Sequence, residues 1–229
     1  MPVIDLARAS TRELNARLHA LTPDDGETEW VVANPQGRHA LAVGLDQPVT
    51  VEIKGHAGYY CAGMNAEATV IVDGNVGVGV AENMMSGTVL VKGDASQAAG
   101  ATAHGGLLVI EGDASARCGI SMKGVDIVVK GSIGPMSAFM AQSGNLVVLG
   151  DAGDALGDSI YEARIYVRGS VKSLGADCIE KEMRDEHRAD LVRLLAAAGL
   201  GDVAHADEFR RYGSARQLYT FHVDNAAAY

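Results

Sequence analysis

Seven glycines, Gly55, Gly74, Gly93, Gly112, Gly131, Gly150 and Gly169, stand nineteen residues apart without slippage, and each closes a short β-rich run. A fixed period near twenty is the signature of a solenoid in which every repeat forms one coil. The chain is therefore read in columns. Positions four and two before each glycine are Val51/Ile53, Val70/Val72, Val89/Val91, Leu108/Ile110, Ile127/Val129, Leu146/Val148 and Ile165/Val167. Alternate residues of a strand share a face, so these two columns predict stacked aliphatic ladders inside the coil. The residue just before the glycine points the other way and reads Lys54, Asp73, Lys92, Glu111, Lys130, Leu149, Arg168. From Lys54 to Lys130 the sign alternates, so stacking sets opposite charges side by side. Each exposed pair is worth under about 1 kcal/mol, yet a one-coil slip would oppose like charges, which makes this column a register control.

The repeating glycine is expected to turn the strand at positive φ, and the following Asn75, Asp94, Asp113 and Asp151 suit a turn. Seven residues after each glycine stands Ala62, Ala81, Gly100, Gly119, Ala138, Gly157 or Ala176, which implies a second tight corner against the core. Stacked parallel strands with turns in every coil predict an all-β core: a right-handed, single-stranded parallel β-helix of about seven 19-residue coils with helical end segments. Three before the glycine, on the outward face, stand Ile71, Leu90, Val109, Val128, Val147 and Tyr166. A continuous exposed stripe of this length is unusual on a soluble monomer, so a helix of the chain itself or another protein should cover it.

Three regions follow: a cap segment over residues 1–39, the β-helix over 40–176, and a C-terminal helix with a docking tail over 177–229. In the cap, Thr11 to Leu21 predicts a short amphipathic helix with Leu14, Leu18 and Leu21 on one side and Ser10 as N-cap. Beyond the coils, residues 177–198 take helical spacing, with Ile179, Met183, Leu191, Leu194, Leu195 and Ala198 apolar and Gly199 as the stop. Asp207 to Tyr212 is read as a helical turn and Leu218 to Val223 as extended. The tail 219–229 keeps aromatic residues to its end and is expected to dock on a partner.

The formal charge of −10 argues against a nucleic-acid or anionic-membrane surface, which needs a dense basic patch. No stretch approaches the roughly 20 apolar residues of a membrane span, and the first ten residues lack an apolar core, so a cytoplasmic place is expected. Cys61 and Cys118 sit in the same column three coils apart, roughly 14 Å at about 4.8 Å per coil, too far for a disulfide. With Cys178 they are expected to be free thiols, packed as small residues.

A search for chemistry finds no dinucleotide fingerprint, P-loop, zinc-protease or nucleophile-elbow motif. Residues 74–79 (GNVGVG) resemble a phosphate loop but lack a strand–turn–helix context, and coil periodicity explains Gly74. His19, His39, His56, His104, His187, His205 and His222 do not share a column, so stacking gathers no metal cluster and each reads as a turn or surface residue. Asp94 and Asp113 stack on adjacent coils but gain no third ligand or base, and read as turn residues. Met64, Met84, Met85, Met122, Met136 and Met140 fill core gaps or form an adaptable contact surface. The expectation is a scaffold with no catalytic, cofactor-binding or metal residues.

Residues 49–58 (VTVEIKGHAG), 88–94 (TVLVKGD) and 145–157 (NLVVLGDAGDALG) resemble the GXGXG β-helix domain that ends the large subunit of glutamate synthase, over about residues 40–176. As a separate chain, and with residues 209–219 (FRRYGSARQLY), the sequence is most similar to the β-helix subunits of N-methylglutamate synthase, or methylamine–glutamate N-methyltransferase. The resemblance implies a division of labour. A glutamine-amidotransferase-like subunit and an FMN-containing, glutamate-synthase-like subunit would carry the chemistry, making N-methyl-L-glutamate and ammonia from L-glutamate and methylamine. This chain would hold them together without a cofactor of its own. Ala62, Ala81, Ala138 and Ala176 depart from the glutamate synthase pattern at corners where glycine is expected. Two other readings use the same coil: a GXGXG subunit of a formylmethanofuran dehydrogenase or formyltransferase-like complex, and a self-associating binding module.

Overall fold

The computed structural model describes residues 1–22, 26 and 28–216. Eleven strands form one sheet: β1 (Val3–Asp5), β2 (Glu29–Ala33), β3 (Thr50–Ile53), β4 (Thr69–Val72), β5 (Thr88–Val91), β6 (Leu107–Ile110), β7 (Lys123–Val129), β8 (Ser143–Val148), β9 (Arg164–Val167), β10 (Cys178–Lys181) and β11 (Arg210–Ser214). From β1 to β9 every neighbour is parallel. From β3 onward the partners are one sequence period apart, as in Val51, Val70, Val89, Leu108, Ile127, Leu146 and Ile165. This is a parallel β-solenoid whose coils are the seven repeats of the sequence. Both inward aliphatic columns are completely buried along its length. A second ladder, Ala57, Val76, Ala95, Ala114, Ile133, Ala152 and Val171, runs two residues after the glycines.

The glycines are required for a reason other than the one expected. Of the seven, Gly55 alone has a positive φ, +133°. The others are small because coil stacks on coil: a Cβ at Gly150 would lie 2.6 Å from both the carbonyl carbon and the oxygen of Gly131. Left-handed backbone falls instead at the second corner, at Ala62 (φ 54°), Ala81 (55°), Gly100 (66°), Gly119 (69°), Ala138 (56°) and Gly157 (67°). An L-residue held there costs roughly 1 kcal/mol. Backbone hydrogen bonds between coils offset that cost: the Ala81 N–H donates to the Cys61 carbonyl at 2.9 Å, and the Tyr60 and Asn83 N–H groups donate forward to Val78 and Ala101. Alternating corner amides thus reach back and forward, and the corner becomes part of the stack.

At the N-terminal end, α1 (Thr11–His19) begins at Ser10 in a capping box with Glu13 and buries Leu14 and Leu18, as the sequence predicts. The parallel ladder continues through β2 to β1, so residues of the cap segment extend the stack. At the other end, the helix expected over 177–198 is shorter. Residues 178–181 form β10, antiparallel to β11, and α2 occupies Asp185–Ala197. The strand wins because Cys178 packs into the coil end while Ile179 turns outward, 43% exposed, and the ladder to β11 satisfies their amides. Gly199 (φ 71°) ends the helix as expected. The helical turn read over 207–212 is a 3-10 turn at Ala206–Glu208 followed by β11, which pairs antiparallel with β9 and covers the last coil. Residues 218–223 and the tail 219–229 lie outside the described residues.

Candidate functional site

The outward column divides in two. Val128, Val147 and Tyr166 have no exposed surface, sealed under Leu191, Leu194 and Leu195 of α2, with Leu149 and Phe209 in the same cluster. Burial of each large side chain stabilises the lid by roughly 1.5–3 kcal/mol. Ile71 and Leu90, three and two coils before Val128 on the same face, stay half-buried, and Val109 is 5% exposed. The charge column flanks that open half: Asp73 bonds Lys54 at 2.9 Å and Lys92 at 2.5 Å, and Lys54 also meets Glu52. These lysines hold the Asp73 carboxyl below its usual range. Further along, Glu111 makes no such pair among the described residues, and between the exposed Lys130 and Arg168 the column carries Leu149, which the C-terminal segment covers.

The turn residues form a third ladder. The Asn75 amide N–H donates to His56 Nδ1, the Asp94 N–H to Asn75 Oδ1, the Asp113 N–H to Asp94 Oδ1 and the Ser132 N–H to Asp113 Oδ1. Each bond spans 2.7–3.0 Å and one coil. The carboxylates of Asp94 and Asp113 are therefore employed as acceptors in stacking. Gly74 and Gly77, which suggested a phosphate loop, likewise serve stacking; a Cβ at Gly77 would lie 2.5 Å from the Gly58 carbonyl carbon.

The histidines are scattered: His39 stacks on Tyr59 with ring centroids 3.8 Å apart, and His19 Nε2 meets the Val43 carbonyl at 2.6 Å. Among the described residues, no group of three or more histidines, cysteines, aspartates or glutamates is placed to hold a metal ion. Cys61, Cys118 and Cys178 are free and buried, and burial pushes their thiols up to about 12, 12 and 11. Such thiols are packed groups and poor nucleophiles. Of the methionines, Met84 and Met122 are buried and fill the core as expected, while Met64, Met85 and Met140 are exposed.

Sequence reading missed a cationic cleft of about 720 Å3 where β8, β9, β10 and β11 meet α2. Arg164, Lys181, Arg184, Arg193, Arg211 and Arg216 line it, against Asp126 and Glu162. Four of the arginines are matched by carboxylates: Arg164 with Asp190, Arg184 with Glu182, Arg193 with Asp126, and Arg216 with Asp177. His187, 4% exposed, faces the cleft, and its Nδ1 accepts the Arg184 N–H at 3.2 Å at the start of α2. Burial first, then Arg211 and Arg164, hold its pKa below the usual imidazole value. The available signal was one of position: ten of the chain's 19 lysines and arginines fall between Arg164 and Arg216, in a chain of charge −10.

Among the described residues no helix is long and apolar enough to cross a membrane. The sequence is 65% identical over 229 residues to "Protein GlxC" of Rhizobium meliloti (strain 1021), with both chains covered in full. No family model and no solved structure matches it.

Proposed function

The chain belongs to the same family as protein GlxC, and from this premise we propose that it is a structural subunit of a heteromeric glutamate-synthase-like enzyme of the cytoplasm. N-methylglutamate synthase, which converts L-glutamate and methylamine to N-methyl-L-glutamate and ammonia, is the best-fitting member. The observation that carries this reading is the use to which the coil residues are put. Inward columns fill the core, turn carboxylates bridge coils, and the aliphatic stripe continues past its helical lid onto a half-buried, charge-flanked surface at Ile71 and Leu90. An apolar strip with a charged margin has the composition of a subunit contact.

In this reading a glutamine-amidotransferase-like subunit and an FMN-bearing, glutamate-synthase-like subunit carry the reaction. In this reading the flavin belongs to that partner, and Gly74 and Gly77 of this chain serve coil contacts. The test is purification of the native assembly through a tag on this chain, with partner identification by mass spectrometry, a visible spectrum and an assay with methylamine and L-glutamate. A yellow assembly that contains an amidotransferase-like chain and forms N-methyl-L-glutamate is expected. A colourless oligomer of this chain alone would overturn the reading.

A further inference from the structure

Lys181 and Arg211 occupy facing positions in the antiparallel β10–β11 ladder, and both line the cationic cleft. Like charges directly opposite on one sheet face repel. Both side chains are half-buried, which weakens the screening that water would provide. Every other arginine of the cleft has a carboxylate partner, but among the described residues neither of these two does; there Arg211 is held through its Nε–H, which donates to the Glu182 carbonyl at 2.9 Å. That bond fixes the guanidinium plane and leaves its terminal N–H groups available. Arg164 stands on the neighbouring strand β9, whose Tyr166 is the register partner of Arg211, so a third cation adjoins the pair on the same face. The buried imidazole of His187 completes the wall.

From this uncompensated facing pair in a concave, partly desolvated site we propose that the cleft binds a small multivalent anion carrying carboxylate or phosphate groups. Arg211 presents the fork that suits either group, and Lys181 adds a point charge from the opposite strand. A cleft of about 720 Å3 has room for a metabolite-sized ligand. The site is separate from the open stripe over β4 and β5, so the proposal stands or falls independently of the subunit role.

The test is isothermal titration of the full chain at low ionic strength with two probes, inorganic phosphate and glutarate, which distinguish phosphate from dicarboxylate recognition. Saturable 1:1 binding of either probe is expected. Lys181→Gln and Arg211→Gln should each weaken it by about tenfold or more. Arg117→Gln, an exposed cation outside the cleft lining, should leave it unchanged. In the absence of anion, both cleft variants should melt at or above the parent temperature, because a repulsion has been removed. That last readout separates a ligand site from a structural ion-pair role, which would lower the melting temperature. Absence of saturable binding by either probe up to about 10 mM, or equal weakening by Arg117→Gln, would overturn the proposal.

Discussion

Over β7, β8 and β9 the outward aliphatic column is sealed beneath α2, whereas over β4 and β5 the same column, on strands of the same parallel ladder, remains half-buried. The stripe itself does not announce this difference, since Ile71 and Leu90 are as apolar as Val128 and Val147. The neighbouring column differs at one position. Beside the open half it carries Lys54, Asp73 and Lys92, joined through Asp73, and beside the covered half Leu149 is buried in the lid's own core between the exposed Lys130 and Arg168. The covered half gains apolar width at Leu149, while a charged margin runs along both halves.

The largest effect is expected on the covered side. Val128→Glu places a carboxylate where the parent residue has no exposed surface, and should destabilise the chain by about 3 kcal/mol or more, read as a lowered urea midpoint. If stability is unchanged, α2 does not seal the face. Gly150→Ala tests the coil stack common to both halves. Its Cβ meets backbone that cannot rotate away, so a loss of about 1–3 kcal/mol is expected by thermal or urea unfolding. A neutral result would return the glycine to a merely permissive turn role.

A smaller effect belongs to the charged flank. Lys92 and Lys54 lower the Asp73 pKa from its ordinary 3.8 in the folded chain, so the unfolded chain binds its proton more readily. The resulting stability is fully present above the unfolded pKa and is lost as pH falls through the lower folded value. Urea unfolding of the parent and Asp73→Asn should therefore differ most near neutrality and converge as pH drops toward about 3. A constant difference across that window would mean the pairs contribute nothing. The smallest effect on stability is expected from Leu90→Glu on the open side, within about 0.5 kcal/mol of the parent by the same unfolding measurement. The contrast with Val128→Glu, in the same column and two coils away, is the sharpest form of the comparison.

What could be read from the sequence was whatever the period repeats. The inward columns, the register, the small residues at the second corner and the outward stripe all recur every nineteen residues, so seven copies reinforce one interpretation. The reason for the glycines was misread because a period reports that a residue is small and cannot tell positive φ from close approach. The non-repeating C-terminal region was read less well. Residues 178–181 have apolar spacing compatible with a helix, and only the antiparallel partner at residues 211–214 makes them a strand. The cationic cleft stayed hidden for the same reason: Arg164 and Arg211 are 47 positions apart in the chain and become neighbours through the β9–β11 pairing.

The most direct test of the central claim is quantitative co-purification from native cells, comparing the tagged parent with tagged Leu90→Glu after confirming equal melting temperatures. If the open stripe seats a partner, the variant should fold normally and recover about tenfold less of the partner chains. Equal recovery would contradict the claim and move the assembly surface elsewhere on the solenoid.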